Sequence, residues 1–394
     1  MSPDPTAGLD AELARVAAQV IETRRDLHRH PELAHRELRT AGVAAASCRE
    51  LGFAVREGVG GTGVLADLAG SAPGPTVMYR ADMDALPIDE ADDGRPVRSE
   101  SPGLMHACGH DGHVAIALGV AAVMAGLRDG WRGRLRLCFQ PAEEGASGAM
   151  PMIAAGALDG VDRALGLHLW TPLDAGRVAV TGGSLFGSAD EFRLLVRGRG
   201  GHGGLPHLSV DAVVVAAHVV VALQTLVSRE VAPDQPAVVS VGLIRGGRAH
   251  NVVADEVELL GTVRAPDQPL RESLMRRVEE VARGVAGALR AELDFTLVAG
   301  CPPVVNDPES AEVVRRAAVE AVGEANVEFA RPLTVGDDMA CFLERVPGCY
   351  YLVGAGDPAR AARPPHHHAE FDIDERALPV GVSTSVRALL TWLR

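Results

Sequence analysis

Apolar positions along this chain follow two different periods. Between residues 12 and 29, Leu13, Val16, Ala17, Val20 and Ile21 recur at helical spacing with charges between them, which predicts an amphipathic helix. Thr76–Arg80 is a short β-like run and Val114–Leu127 reads as a buried helix. Arg134–Phe139 alternates as a strand, and Arg163–Leu169 is another β-like run. Strands alternating with helices predict an α/β unit with a mostly parallel sheet. In such sheets ligands gather at the carboxyl ends of the strands.

Residues 184–300 carry a different rhythm. Phe192, Leu194 and Val196 alternate with polar positions, so 191–197 is expected as a strand. A Val- and Ala-rich helix is expected over 209–227, strands over Ala237–Ile244 and Val257–Val263, and a helix over Leu270–Leu289. Leu293–Val298 would be the last strand. The order β-α-β-β-α-β is the ferredoxin-like pattern. After Cys301 the α/β character returns. We therefore expect a catalytic α/β domain in two parts, 1–183 and 301–394, interrupted by an α+β domain over 184–300.

Composition narrows the chemistry. The 394 residues are 47% hydrophobic but only 4% aromatic, so the core must be built from Ala, Val and Leu. The formal net charge of −14 argues against nucleic acid or an anionic membrane as partner. All 38 basic residues are Arg, which removes Schiff-base catalysis and lysine-dependent phosphate binding. Six cysteines, at 48, 108, 138, 301, 341 and 349, form no Cys-x-x-Cys pair, and a reducing cytoplasm is expected. The start Met-Ser-Pro-Asp-Pro lacks the signature of a signal peptide. Val114–Leu127, taken as the longest near-apolar run, falls short of the roughly 18 residues a membrane span needs.

Four segments carry reactive side chains. His106-Ala-Cys-Gly-His-Asp-Gly-His113 places Cys108 and His110 where one loop could bind one metal centre, and thiolate with imidazole suits zinc-like ions. Gln140-Pro-Ala-Glu-Glu-Gly145 puts two carboxylates directly after an apolar strand. One could ligate a cation while the other serves as general base. His168 ends a β-like run, and His366-His-His368 precedes Phe371-Asp-Ile-Asp-Glu375. Each segment alone has an ordinary explanation as a polar loop, an acidic turn or a core histidine. Together they supply enough donors for two metals sharing a bridge.

Tyr79-Arg-Ala-Asp-Met-Asp-Ala-Leu-Pro-Ile88, Met105–His113, Phe139–Gly145 and Gly200-Gly-His-Gly-Gly-Leu-Pro-His207 resemble the amidohydrolase branch of the aminoacylase/carboxypeptidase metallopeptidase family. That branch includes hippurate hydrolases, N-acyl-amino-acid amidohydrolases and auxin–amino-acid conjugate hydrolases. The resemblance runs from about Arg24 to about Leu390. It implies a hydrolase that cleaves the amide bond of small N-acyl amino acids with two divalent ions per subunit, Zn, Mn, Co or Ni. Cys108 would bridge the ions, with His110, Glu144, His168 and His367 as further ligands and Glu143 as general base. Asp82 would orient a ligating His. His202, from the inserted domain, would stabilise the oxyanion in the other subunit's site. Asn251 and Arg264 would hold the substrate carboxylate. The inserted domain would also form the interface of a homodimer or higher oligomer.

The chain departs from that pattern in places. Asp337-Asp-Met339 stands where Glu-Asp-Phe is usual, Ala369 where Pro is usual, and His366 where an apolar residue is common. Two other readings stay open on the residues themselves. Cys108 could be a nucleophile paired with a nearby His, giving a cysteine amidase. The chain could also be a non-catalytic, metal-dependent binding protein on the same fold.

Overall fold

The computed structural model describes residues 8–145, 148–360 and 363–394. The opening Met-Ser-Pro-Asp-Pro, on which the expectation of no leader rests, lies outside them. The described residues form two compact units. One comprises the residues up to Gly183 together with Val305–Arg331 and Cys341–Arg394. The other comprises Ser184–Val304 and Pro332–Ala340.

The first unit is built on an eight-stranded sheet. Its spatial order is Ala54–Val59, Gly63–Ala69, Arg134–Gln140, Thr76–Asp82, Arg163–Asp174, Gly348–Gly356, Val178–Val180, Val327–Phe329. Pairing is parallel across the central four, from Arg134–Gln140 to Gly348–Gly356. It is antiparallel at the Ala54–Ala69 edge and between Gly348–Gly356 and Val178–Val180. The sheet is thus mixed, with its parallel pairing concentrated at the centre. Thr76–Asp82 and Gly348–Gly356 are buried at every position, so their sequences show no alternation.

The helix His110–Gly126 starts four residues earlier than the apolar pattern predicts, because its first turn is polar. Fourteen of its 17 residues are buried, which explains a sequence apolar on all sides rather than on one stripe. It packs between Leu9–Arg29 and Ala377–Trp392. A Cβ on Gly119 would lie 2.6 Å from Val20 and 2.8 Å from Val382, so glycine lets both neighbours approach the helix backbone.

In the second unit the strands stand in the order Val238–Gly246, Glu256–Arg264, Ala189–Arg197, Glu292–Cys301, all antiparallel. This is the ferredoxin-like arrangement. Asp211 caps Ala212–Thr225 by accepting from Val213 and Val214, and Asp267 caps Gln268–Ala288 by accepting from Leu270. Both helices contribute to one apolar core, where Val215, Val219, Leu274 and Val278 join Phe192, Leu194 and Leu259 of the sheet. Among the described residues one helix, Ala212–Glu230, is long and apolar enough to cross a membrane. It displaces Val114–Leu127 as the chain's chief apolar stretch. Ala212, Val215, Val219 and Leu223 bury its inner face, while Val213, Val214 and Val221 stay exposed.

Candidate metal centre

Parallel strands bring the reactive segments to one edge of the sheet. Asp82 pairs with Gln140 at the ends of adjacent strands. Arg80 faces Gly166, so His168 lies two residues further along the next strand, level with Asp82. Beyond Asp82 the chain pairs back on itself through Leu86 and Met105, with amide–carbonyl distances of 3.0 and 3.1 Å. That contact delivers the Cys108 loop to the same edge. Gly109, at φ +94°, turns the loop into the helix that opens with His110. After Gln140, Ala142 takes φ +55°, held by its amide donating to buried Glu37 at 2.9 Å, and Glu143 and Glu144 follow.

The donor atoms form one connected cluster. Cys108, Glu144 and His367 offer ligand atoms within 4.8 Å of one another, as do Cys108, His168 and His366, and His110 with Glu143 and Glu144. His168 Nε2 lies 3.5 Å from Cys108 Sγ, and its Nδ1–H donates to the Leu169 carbonyl at 2.8 Å. That bond leaves the Nε2 lone pair facing the sulfur. His367 Nε2 lies 3.2 Å from Glu144 Oε1, and His110 Nε2 lies 3.9 Å from the same oxygen. His367 sits at φ +64°, a conformation a residue with a Cβ adopts at a cost, and its amide donates to Ala107 at 2.8 Å. The strained backbone turns its ring toward Glu144.

The cluster's electrostatics call for cations. His110 Nε2 is buried without a hydrogen-bond partner among the described residues, and Glu144 Oε1 is buried with the His367 ring at 3.2 Å but out of hydrogen-bond geometry. Such orphaned atoms are costly unless something binds them. Burial and the neighbouring Glu144 carboxylate push the Cys108 thiol well above the usual thiol range, so a thiolate there requires a positive charge beside it. Burial alone would lower His110, but Asp82, Asp84 and Cys108 outweigh it and hold its pKa well above the ordinary histidine value. That is a field that attracts cations. Burial, with His113 and His366 alongside, lowers His168 and keeps it a neutral donor. The residues present therefore fit a pair of divalent ions meeting at Cys108.

Several supporting residues carry no obvious sequence signal. Asp84, buried, accepts the amides of Glu143 at 3.0 Å and Glu144 at 2.9 Å, and its carbonyl accepts His110 Nδ1–H at 2.8 Å. Burial works against its charge, but these bonds reverse the effect and lower its pKa. Asp84 therefore does the orienting expected of Asp82. Asp82 instead accepts His113 Nδ1–H at 2.6 Å and Arg80 at 2.6 Å, and stands 3.7 Å from His110 Nε2. His113 Nε2 accepts the Leu169 amide at 2.9 Å, so both its nitrogens are engaged structurally. Asp111 receives Arg24 and His28, each at 2.8 Å, and Arg24 reaches Asp372 at 3.4 Å. This buried network ties the first helix to the metal helix and to the loop after the His triplet. A cavity of about 590 Å³ opens beside it. It contains none of the clustered ligand atoms, and two of its arginines are spent within the wall, Arg95 on Asp93 and Arg363 on Asp174.

The remaining candidates lie in the second unit. His202 pairs with Val252 in a two-residue ladder, and the Gly203 amide donates to the Asn251 carbonyl at 2.8 Å. His202 and Asn251 are thus neighbours. His202 Nδ1 accepts the Gly204 amide at 2.9 Å, which leaves its proton on exposed Nε2. Arg264 ends the strand that begins at Glu256. Its eight residue steps at about 3.3 Å each put roughly 26 Å between the two strand ends. His202 and Asn251 lie beyond the Glu256 end, so one chain does not bring them to Arg264.

A metal cluster with a second carboxylate beside it has what hydrolysis needs, a means to activate water and a group to take its proton. By this measure the protein is a metallohydrolase. Comparison with known proteins narrows the class. Residues 78–391 match the model of peptidase family M20/M25/M40, and the chain belongs to that family. It is 43% identical over 295 residues to an N-acyl-L-amino acid amidohydrolase of Geobacillus stearothermophilus, covering 75% of this chain and 80% of that one. It is 39% identical over 367 residues to an N-acetyl-L-cysteine deacetylase of Bacillus subtilis (strain 168), covering 93% and 86%. The crystal structure of a dinuclear metal-binding peptidase of the M20 family from Bacillus subtilis superposes with a TM-score of 0.84 at 31% identity. It covers 96% of this chain and 99% of that one. The protein is a metal-dependent amidohydrolase with a dinuclear centre.

Because an entering ion must displace the Cys108 proton, metal affinity will rise with pH. The expected slope is roughly tenfold per pH unit for each proton displaced. Competition against a chromophoric chelator around neutral pH measures it, and an affinity independent of pH would exclude the buried thiol as a ligand.

Proposed function

We propose that the protein cleaves the amide bond of a small N-acyl amino acid, releasing a carboxylic acid and a free amino acid. The observation that carries this reading is the Glu143–Glu144 pair. Both amides are held by Asp84, while Glu144 joins the Cys108–His367 donors and Glu143 lies beside His110. The names of the two sequence relatives, an N-acyl-L-amino acid amidohydrolase and an N-acetyl-L-cysteine deacetylase, support the substrate class.

In this reading Cys108, His110, Glu144, His168 and His367 hold the two ions. When bound, these would lower the pKa of a coordinated water toward about 7 and polarise the amide carbonyl. Glu143 takes the proton of the attacking water and returns it to the leaving amine. His202 Nε2–H donates to the developing oxyanion. Arg264 grips the substrate carboxylate with its forked guanidinium, and Asn251 adds a polar contact. The cysteine-nucleophile alternative needs a thiol of lowered pKa, and Cys108 is shifted the other way. The binding-protein alternative gives Glu143 no task.

We further propose a homodimer formed through the second unit. Its strand Val238–Gly246 lies at the sheet edge, and exposed Val213, Val214, Val221 and Ile244 offer apolar surface for a partner. Since His202 and Asn251 stand at the opposite sheet end from Arg264, a complete site would take the former from the partner subunit. A reducing cytoplasm fits six cysteines with no Cys-x-x-Cys pair among them.

Glu143→Gln will keep its metal and lose turnover by roughly 10²–10⁴-fold or more, whereas Glu144→Gln will lose metal affinity. Metal content and kcat on N-acetyl amino acids decide this, and equal metal loss in both would show the pair assigned the wrong way round. For the shared site, His202→Ala and Glu143→Gln subunits are mixed and allowed to exchange. Random pairing makes about half the dimers mixed, each with one complete site of two, so about a quarter of wild-type activity returns. No recovery, with exchange confirmed by mass, would place His202 in its own subunit's site.

A further inference from the structure

The His366–His368 triplet brings a second ring to the cluster besides His367. His366 is wedged between Trp170, stacked at 4.8 Å between ring centroids, and Phe371, also at 4.8 Å. Its Nδ1 lies 3.8 Å from Cys108 Sγ. On the other side of the ring, the Thr171 amide donates to Nε2 at 3.4 Å. A backbone N–H can only donate, so Nε2 is the lone-pair nitrogen and the proton of the neutral ring sits on Nδ1, facing Cys108, whose sulfur and backbone carbonyl are both within its reach. His168 has the opposite tautomer, its proton on Nδ1 spent on Leu169 and its Nε2 lone pair toward the same sulfur. Two imidazoles thus flank Cys108 with opposite faces, one offering a lone pair and the other a proton.

We propose that His366 is not a metal ligand but a positioning residue for the bridging thiolate, its Nδ1–H donating to Cys108 Sγ and so favouring the metal-binding thiolate over the thiol. The proposal rests on Cys108 being a ligand. A hydrogen bond to a thiolate lowers the energy of the sulfur lone pairs, makes the thiolate easier to form in a buried place and fixes its orientation, and such outer partners raise metal affinity.

The test uses the Co²⁺-loaded enzyme and three variants. His366→Leu and His366→Phe fill the slot between Trp170 and Phe371 without a donor, and His366→Asn keeps an N–H near the position of Nδ1. In both donor-less variants the sulfur-to-cobalt charge-transfer band will move to longer wavelength and Co²⁺ affinity will fall by about tenfold. The intensity of the d–d bands will not change, because no ligand is lost. His366→Asn will restore both band and affinity toward wild type. Band and affinity unchanged in the Leu and Phe variants would overturn the proposal, as would a rise in d–d intensity that marks a lost ligand. Absence of any sulfur-to-cobalt band in the wild-type protein would overturn the assignment of Cys108 itself, and this proposal with it. That outcome is distinguishable because it appears before any substitution is made.

Discussion

The buried carboxylate of Asp84 is the interaction on which the centre depends. Three hydrogen-bonding groups of two segments converge on this residue: the two amides of the glutamate pair on its carboxylate, and His110 Nδ1–H on its carbonyl. Without it the glutamates would hang from a loop whose entry, at Ala142, is already strained. With it, the backbone of both glutamates is fixed and their carboxylates gather beside His110, so one can ligate while its neighbour handles a proton. The arrangement gathers negative charge and orphaned donors in a buried place. That is unfavourable in itself and becomes favourable only around cations. Stability and function are coupled here, because binding metal relieves the strain and charge that folding builds up.

Much of this was legible in the sequence, for a chemical reason. Thiol, imidazole and paired carboxylate are rare in so small a compass, and His106–His113 and Gln140–Gly145 stand out against a chain rich in Ala, Val and Gly. Asp84 was not legible, because its partners are backbone amides that no side-chain pattern reveals. Asp82 drew the orienting role instead, although the structure spends it on His113 and Arg80. The early start of the metal helix escaped the apolar pattern because its first turn is His110-Asp-Gly-His113. Gly109 before it was the available sign. The mixed edges of the sheet were also hidden, since buried strands read alike whichever way they run. In the His triplet, the family resemblance pointed to His367, and only geometry shows that His366 reaches Cys108 Sγ.

The second unit shows how topology limits chemistry. Its ferredoxin-like pattern was readable from the alternation of its strands and the apolar spacing of its helices. Its consequence was not. Antiparallel strands set the two groups of candidate residues at opposite ends of one sheet, which is the ground for the shared site proposed above. A two-fold assembly resolves this without any change of fold.

The central claim is that two ions meet at the sulfur of Cys108. Anomalous diffraction from crystals grown with Mn²⁺ or Zn²⁺, collected on either side of the metal absorption edge, tests it most directly. Two anomalous peaks per chain, both within bonding distance of Cys108 Sγ, one also near His168 and the other near Glu144, are the predicted result. A single peak, or a pair in which Cys108 touches neither ion, would contradict the account.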